Sequence, residues 1–185
     1  DEAQQHLTEA LAIRETAFGA EHTLTADALG NLGMLSLERG QIRRAQPMLE
    51  RALAISQSKL GDRHPVVATH QNNLAALRAA QRQTAASVAL YEQALETRRA
   101  LLPPKHPHLA YSMLGLASLR AANREAKDAC EAMLREAVEI RIRALPPAHR
   151  LVLEAEAALA ACRHSQPPPN RRFTPTIFTR PLLSR

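Results

Sequence analysis

The chain is expected to be all-α, an α-solenoid of stacked helical hairpins, and three features of its 185 residues lead there. Apolar residues make up 45% of it and are mostly Ala and Leu, both strong helix formers, while no Val, Ile or Thr run reaches strand length. The sequence also repeats itself: "ALAIRETAFGAEH" (10–22) and "ALAISQSKLGDRH" (52–64) agree at six of thirteen positions, 42 residues apart. The register continues through "ALETRRALLPPKH" (94–106) and, after 43 residues, "AVEIRIRALPPAH" (137–149), so His22, His64, His106 and His149 mark successive units. Within a unit two stretches place apolar residues at threes and fours, with a short break between them. Such a hairpin cannot cover its own apolar face, and stacking has to supply the core.

In each unit the first helix is A and the second is B. Residues 1–19 read as a lone helix B, over about 1–17, ended at Gly19. The unit 20–61 places helix A at 24–38 and helix B at 41–59, and Pro47 means that this B either begins near Arg44 or bends at the proline. In the unit 62–103, Val67, Leu74 and Leu77 make helix A over 66–80. After the break "AQRQ", Ala85, Val88, Tyr91, Ala94 and Leu95 make helix B over 83–101. The unit 104–146 follows with A at 108–122 and B at 125–144. One residue more separates Ala129 from Ala137 than Ser87 from Ala94, which predicts a π-bulge near 128–133. A last helix A occupies 149–162 of the segment 147–162. It has no helix B after it, so the chain reads as an excerpt or a truncated member, its final helix uncapped. Residues 163–185 are a basic, Pro-rich tail without helical periodicity, expected to be extended or disordered, to fold its apolar residues over the open end, or to bind an acidic partner or RNA.

The net charge of +6 sits in that tail: Arg163, Arg171, Arg172, Arg180 and Arg185 face no acid there, leaving 19 basic against 18 acidic residues over 1–162. A nucleic-acid face on the helical body is therefore not expected. Cys130 and Cys162 lack a partner motif and read as small buried residues of a reducing, cytoplasmic setting. No run is long and apolar enough for a membrane span. The four marker histidines recur one repeat apart, too far to converge on one ion, and each is expected to bond near the start of a helix A. His6, His70, His108 and His164 form no HxxxH pair, so neither a metal nor a cofactor is expected. The B-helix acids Glu9, Glu15, Glu50, Glu92, Glu96, Glu131, Glu136 and Glu139 lie among arginines as solvated outer faces do. Without a paired nucleophile and base, or a phosphate-binding glycine pattern, the residues do not describe an enzyme.

The pattern "NLAAL…A…YEQAL" resembles a tetratricopeptide repeat, and the 42-residue unit, with "LGDRHPVVA" ahead of "NNLAAL", resembles the kinesin light chain type over residues 1–162. The resemblance implies a right-handed solenoid of tetratricopeptide-like hairpins whose A helices line a concave groove for a peptide or helix of a protein partner. An alternative is a sensor or accessory array of a larger signalling protein, such as a nucleotide-dependent switch with catalysis elsewhere. The groove positions it implies are Asp27, Gly30, Met34 and Glu38, then Thr69, Asn72, Ala76 and Ala80, then Tyr111, Leu114, Ser118 and Ala122. None of these is Lys or Arg, so a clamp for a carboxylate is not expected, and the ligand should be weakly polar or apolar.

The family's groove asparagine survives only at Asn72, with Gly30 and Leu114 at the matching positions, and Asn72 either meets a ligand or is solvated filler. Asn31 and Asn73, about 100° further round the helix, are expected to serve the scaffold. The tyrosine usual after "NLAxL" is replaced by Ser36, Arg78 and Arg120, from which looser packing between helices A and B is expected.

Overall fold

The computed structural model describes residues 2–123 and 127–164. Of the tail, only Arg163, which is helical and paired with Glu131, and His164 fall within this range; the expectations for the rest concern residues outside it. Eight helices follow one another: α1 (Glu2–Phe18), α2 (Thr23–Glu38), α3 (Ile42–Leu60), α4 (Pro65–Ala80), α5 (Thr84–Leu101), α6 (Pro107–Ala122), α7 (Lys127–Ala144) and α8 (Arg150–Arg163). There is no strand among the described residues. Helices α2, α4, α6 and α8 are the A helices; α1, α3, α5 and α7 are the B helices.

Every helix A starts in the same way. His22, His64, His106 and His149 take extended backbone at the N-cap, and the Nδ1 of each accepts a hydrogen bond, at 3.2 Å, from the amide two residues on. This satisfies one of the donors that a helix leaves orphaned at its start. Pro65 and Pro107 add a pre-set φ just inside α4 and α6. Helices α2 and α4 also end alike. The amide of Gln41 donates to Ser36 O and that of Gln83 to Arg78 O, each at 2.9 Å, across a residue of left-handed φ: Gly40 (74°) and Arg82 (61°).

One expectation about the B helices is narrowed and one is corrected. Helix α3 begins at Ile42 and runs through Pro47, which removes the start near Arg44 from the two alternatives. The proline is exposed, and the Arg43 carbonyl that loses its helical partner belongs to an exposed residue. Helix α7 is regular from Lys127 to Ala144, with no π-turn near 128–133. Buried residues of α5 and α7 already correspond at an offset of 43 from the start: Ser87 with Cys130, Tyr91 with Leu134, Ala94 with Ala137 and Arg98 with Arg141. The additional residue therefore precedes Cys130, ahead of the packed turns, where it rotates none of them.

The core lies between successive hairpins, with each B helix packed between its own A and the next. Met34, Leu37, Ala45, Leu49, Leu53, Val67, Leu74 and Leu77 join α2, α3 and α4, and Tyr91, Leu95, Leu109, Met113, Leu116 and Ile140 join α5, α6 and α7. A smaller cluster holds both free cysteines, Cys130 and Cys162, with Leu134 and Leu159 between α7 and α8. The positions where an inter-helix tyrosine was missed are filled by polar side chains. Ser36 is buried and donates to Leu32 O, Arg78 donates to Glu50 of α3 at 2.7 Å, and Arg120 pairs with Glu92 of α5.

Candidate peptide-binding groove

The backbones of successive A helices approach one another, α2 to α4, α4 to α6 and α6 to α8, whereas among the described residues the B helices meet through side chains alone, such as Arg51 with Glu15 and Arg99 with Glu136. The A helices therefore line the inner, concave side of the stack. The sequence-derived groove positions fall on these helices but do not form one exposed wall.

Met34 and Ala76 are corrected: both lie in the core cluster of α2, α3 and α4, because at mid-helix the next hairpin closes over the stripe. Gly30 is also buried, and an added Cβ would stand 3.0 Å from Cε1 of His70. Asp27, Glu38, Thr69, Asn72, Ala80, Tyr111, Leu114 and Ser118 are partly exposed, and Ala122 is exposed. Asn73 is buried as the scaffold reading expected, its side-chain amide facing the Gly30 position.

The register 27/69/111 on one helix A meets 70/112 on the next, and 14/56/98/141 on the B helix lies against the start of the next A. Three B-helix arginines use this register: Arg14 donates to Leu24 O at 2.8 Å, Arg98 to His108 O at 3.0 Å, and Arg141 to Leu151 O, always ten residues on. The second unit has Ser56 there, which bonds its own helix through Ala52 O.

Arg98 and Arg141 overturn the reading of the B-helix arginines as solvated. Arg98 is only 1% exposed and donates to Ser112 Oγ (2.6 Å), Thr69 Oγ1 (3.3 Å) and Asn72 Oδ1 (3.4 Å) as well as to His108 O. Four neutral oxygens thus hold a guanidinium with no carboxylate partner among the described residues. Burial lowers its pKa to about 10, which leaves it charged at neutral pH. Asn72 Oδ1 also accepts from Ser112 Oγ at 3.1 Å, so the acceptor of the one surviving groove asparagine is engaged within the scaffold. Arg141 lies 5.2 Å over the ring of Tyr111. Burial raises the Tyr111 phenol, an effect opposed by the nearby Arg141 and Arg98.

Between α2 and α4 the filling is different. His70 is 3% exposed, its Nε2 lies 3.5 Å from Asp27 Oδ1, and neither ring nitrogen has a hydrogen-bond partner. The three junctions fill one register in three ways: Gly30 with His70 and Ser56, Asn72 with Ser112 and Arg98, Leu114 with Ala155 and Arg141. Sequence reasoning missed His70, Arg98 and Arg141 as groove residues. The available signal was the spacing of 10 between Arg14 and Leu24, Arg98 and His108, and Arg141 and Leu151.

Among the described residues no group of three His, Cys, Asp or Glu is gathered for a metal, and no helix is long and apolar enough to cross a membrane. The class is a helical-repeat interaction scaffold. The tetratricopeptide repeat model matches residues 1–58 and 40–100, more than half of the sequence, and the chain belongs to the tetratricopeptide repeat family.

Among solved structures it is similar to two crystal structures of a Podosopora anserina candidate kinesin light chain with nearly identical TPR-like repeats. Both are 26% identical, with TM-scores of 0.66 and 0.65, over 89% of this chain and 77% of that one. It also shares the fold of BtubC (BKLC) from P. vanneervenii, at 23% identity and a TM-score of 0.70, over 89% of this chain and 65% of that chain. The chain thus spans less than two thirds of the length of BtubC. No curated protein sequence matches it. These likenesses establish a right-handed solenoid of the kinesin light chain-like type.

Proposed function

We propose that the chain holds a peptide or helix of a protein partner in the groove along α2, α4 and α6, and that it does no chemistry of its own. The observation that supports this reading is the close backbone approach of the A helices, along which Asp27, Thr69, Asn72, Tyr111, Leu114 and Ser118 are each partly exposed. Tyr111 and Leu114 offer apolar area beside small side chains, so a weakly polar or apolar segment fits best. The buried free cysteines suit a reducing, cytoplasmic setting.

A photo-crosslinking residue at Ser118 should capture the partner, and the same residue at Glu96, exposed on α5, should not. Capture from Glu96 alone would move the binding face to the outer helices.

A further inference from the structure

Along the groove, polar groups are engaged at one junction, covered at the next and left open at one. Between α4 and α6, Thr69, Asn72 and Ser112 are all bonded to Arg98. Between α6 and α8 the exposed edge of the site is the Tyr111 ring, occupied by Arg141. Between α2 and α4 the equivalent positions hold Asp27, Gly30 and His70, with Ser56 where an arginine would reach in.

There the carboxylate of Asp27 is 39% exposed and no lysine or arginine pairs with it among the described residues. Among the described residues its partner within ion-pair distance is His70, which stands at 3.5 Å, beyond a normal hydrogen bond, and is buried with both ring nitrogens unbonded. Resting on the groove reading above, we infer that the α2–α4 junction is a cation subsite, in which Asp27, backed by His70, receives one lysine or arginine side chain of an otherwise apolar peptide.

An ammonium brings three donors and a guanidinium five, enough to use the carboxylate's free lone pairs. A bound peptide excludes water from this spot, and the charge-assisted bond strengthens as the local dielectric falls. The neighbouring junctions reject the same group. Arg98 puts a guanidinium beneath the α4–α6 junction and Arg141 one beneath the α6–α8 junction, where Glu154 partly offsets it; one junction is roughly 10 Å from the next, about one Debye length, and buried charges are screened less than exposed ones. The sign of the groove therefore changes along its length, and a peptide should lie with its basic residue toward α2.

A display library of random heptapeptides, selected in parallel on the full chain and on its Asp27→Asn variant, tests this. Asp27 is on the surface and Asn has the same shape, so the variant should keep the melting temperature. Expected are wild-type selectants sharing one basic position that the variant's selectants lack. Replacing that residue by norleucine in a capped synthetic peptide should weaken binding to the wild type about tenfold, the scale of one hydrogen bond to a charged group. Apolar selectants without a basic position would remove the subsite and leave the groove reading intact. A basic preference that persists in Asp27→Asn would equally remove it. Failure to select any peptide on either protein would remove both.

Discussion

At Gly115 an added Cβ would stand 2.4 Å from Cε1 and Cζ of Tyr91, a separation that aromatic and backbone cannot relieve by a small shift. Leucines occupy the positions equivalent to Tyr91, Leu49 before it and Leu134 after it, and Leu134 shares its cluster with Ala158, the residue matching Gly115. The single ring of the series thus requires the single glycine. Gly115→Ala should destabilise the protein by about 1–3 kcal/mol, and by clearly less in a Tyr91→Leu background. Chemical denaturation of the four members of that cycle measures the coupling, and additive effects would contradict it. Tyr91 also carries a pH dependence. Burial pushes its phenol well above the usual value, so the folded chain holds the proton where the unfolded chain releases it. The contribution is intact below about pH 10 and lost as pH rises beyond it. Melting temperature should therefore fall above that pH, with a shallower fall in Tyr91→Phe. From sequence alone Tyr91 was visible as a core residue of helix B, but its steric partner lies 24 residues away in the next hairpin, at a position that is Asn31 and Asn73 in the earlier units and Ala158 in the last.

Helix α5 joins two hairpins through one side chain. Arg98 bonds α4 by Thr69 and Asn72 and α6 by His108 O and Ser112, and its removal would take a donor from the buried Ser112 Oγ and from three partly buried oxygens. Arg98→Ala should cost about 3 kcal/mol, with a smaller loss for Arg98→Ala combined with Ser112→Ala, since fewer polar groups are then stranded. Equal losses would show that Ser112 takes no part. A charged residue in "ETRRA" reads as solvated because charge is normally expelled from cores, and only the array of neutral oxygens brought by two neighbouring helices reverses that expectation. The π-bulge expectation failed for a related reason. A surplus residue is accommodated most cheaply where no packed turn depends on it, and every buried position of α7 from Cys130 onward keeps one common offset from α5.

Over the whole molecule, burial is uneven along the stack. Ile13 of α1 is 67% exposed while its equivalents Ile55 and Ile140 are 1% exposed, and α1 has no fully buried residue. Because each hairpin touches only its neighbours, local opening should follow this gradient. Native-state hydrogen exchange should find the amides of α1 least protected and those of α4, α5 and α6 most protected; uniform protection would contradict nearest-neighbour stacking. The order, type and approximate limits of all eight helices were legible in the sequence, as were the four histidine caps. A 42-residue repeat and a local cap are set by hydrogen bonds and apolar spacing within a few turns of the chain. What only the tertiary structure decided is how the groove is filled: Met34 and Ala76 closed into the core, Asn72 bonded to Arg98 and Ser112, and Asp27 left facing His70. Those outcomes depend on the side chain that the neighbouring hairpin presents across each junction, a contact between units that the periodicity within one unit does not specify.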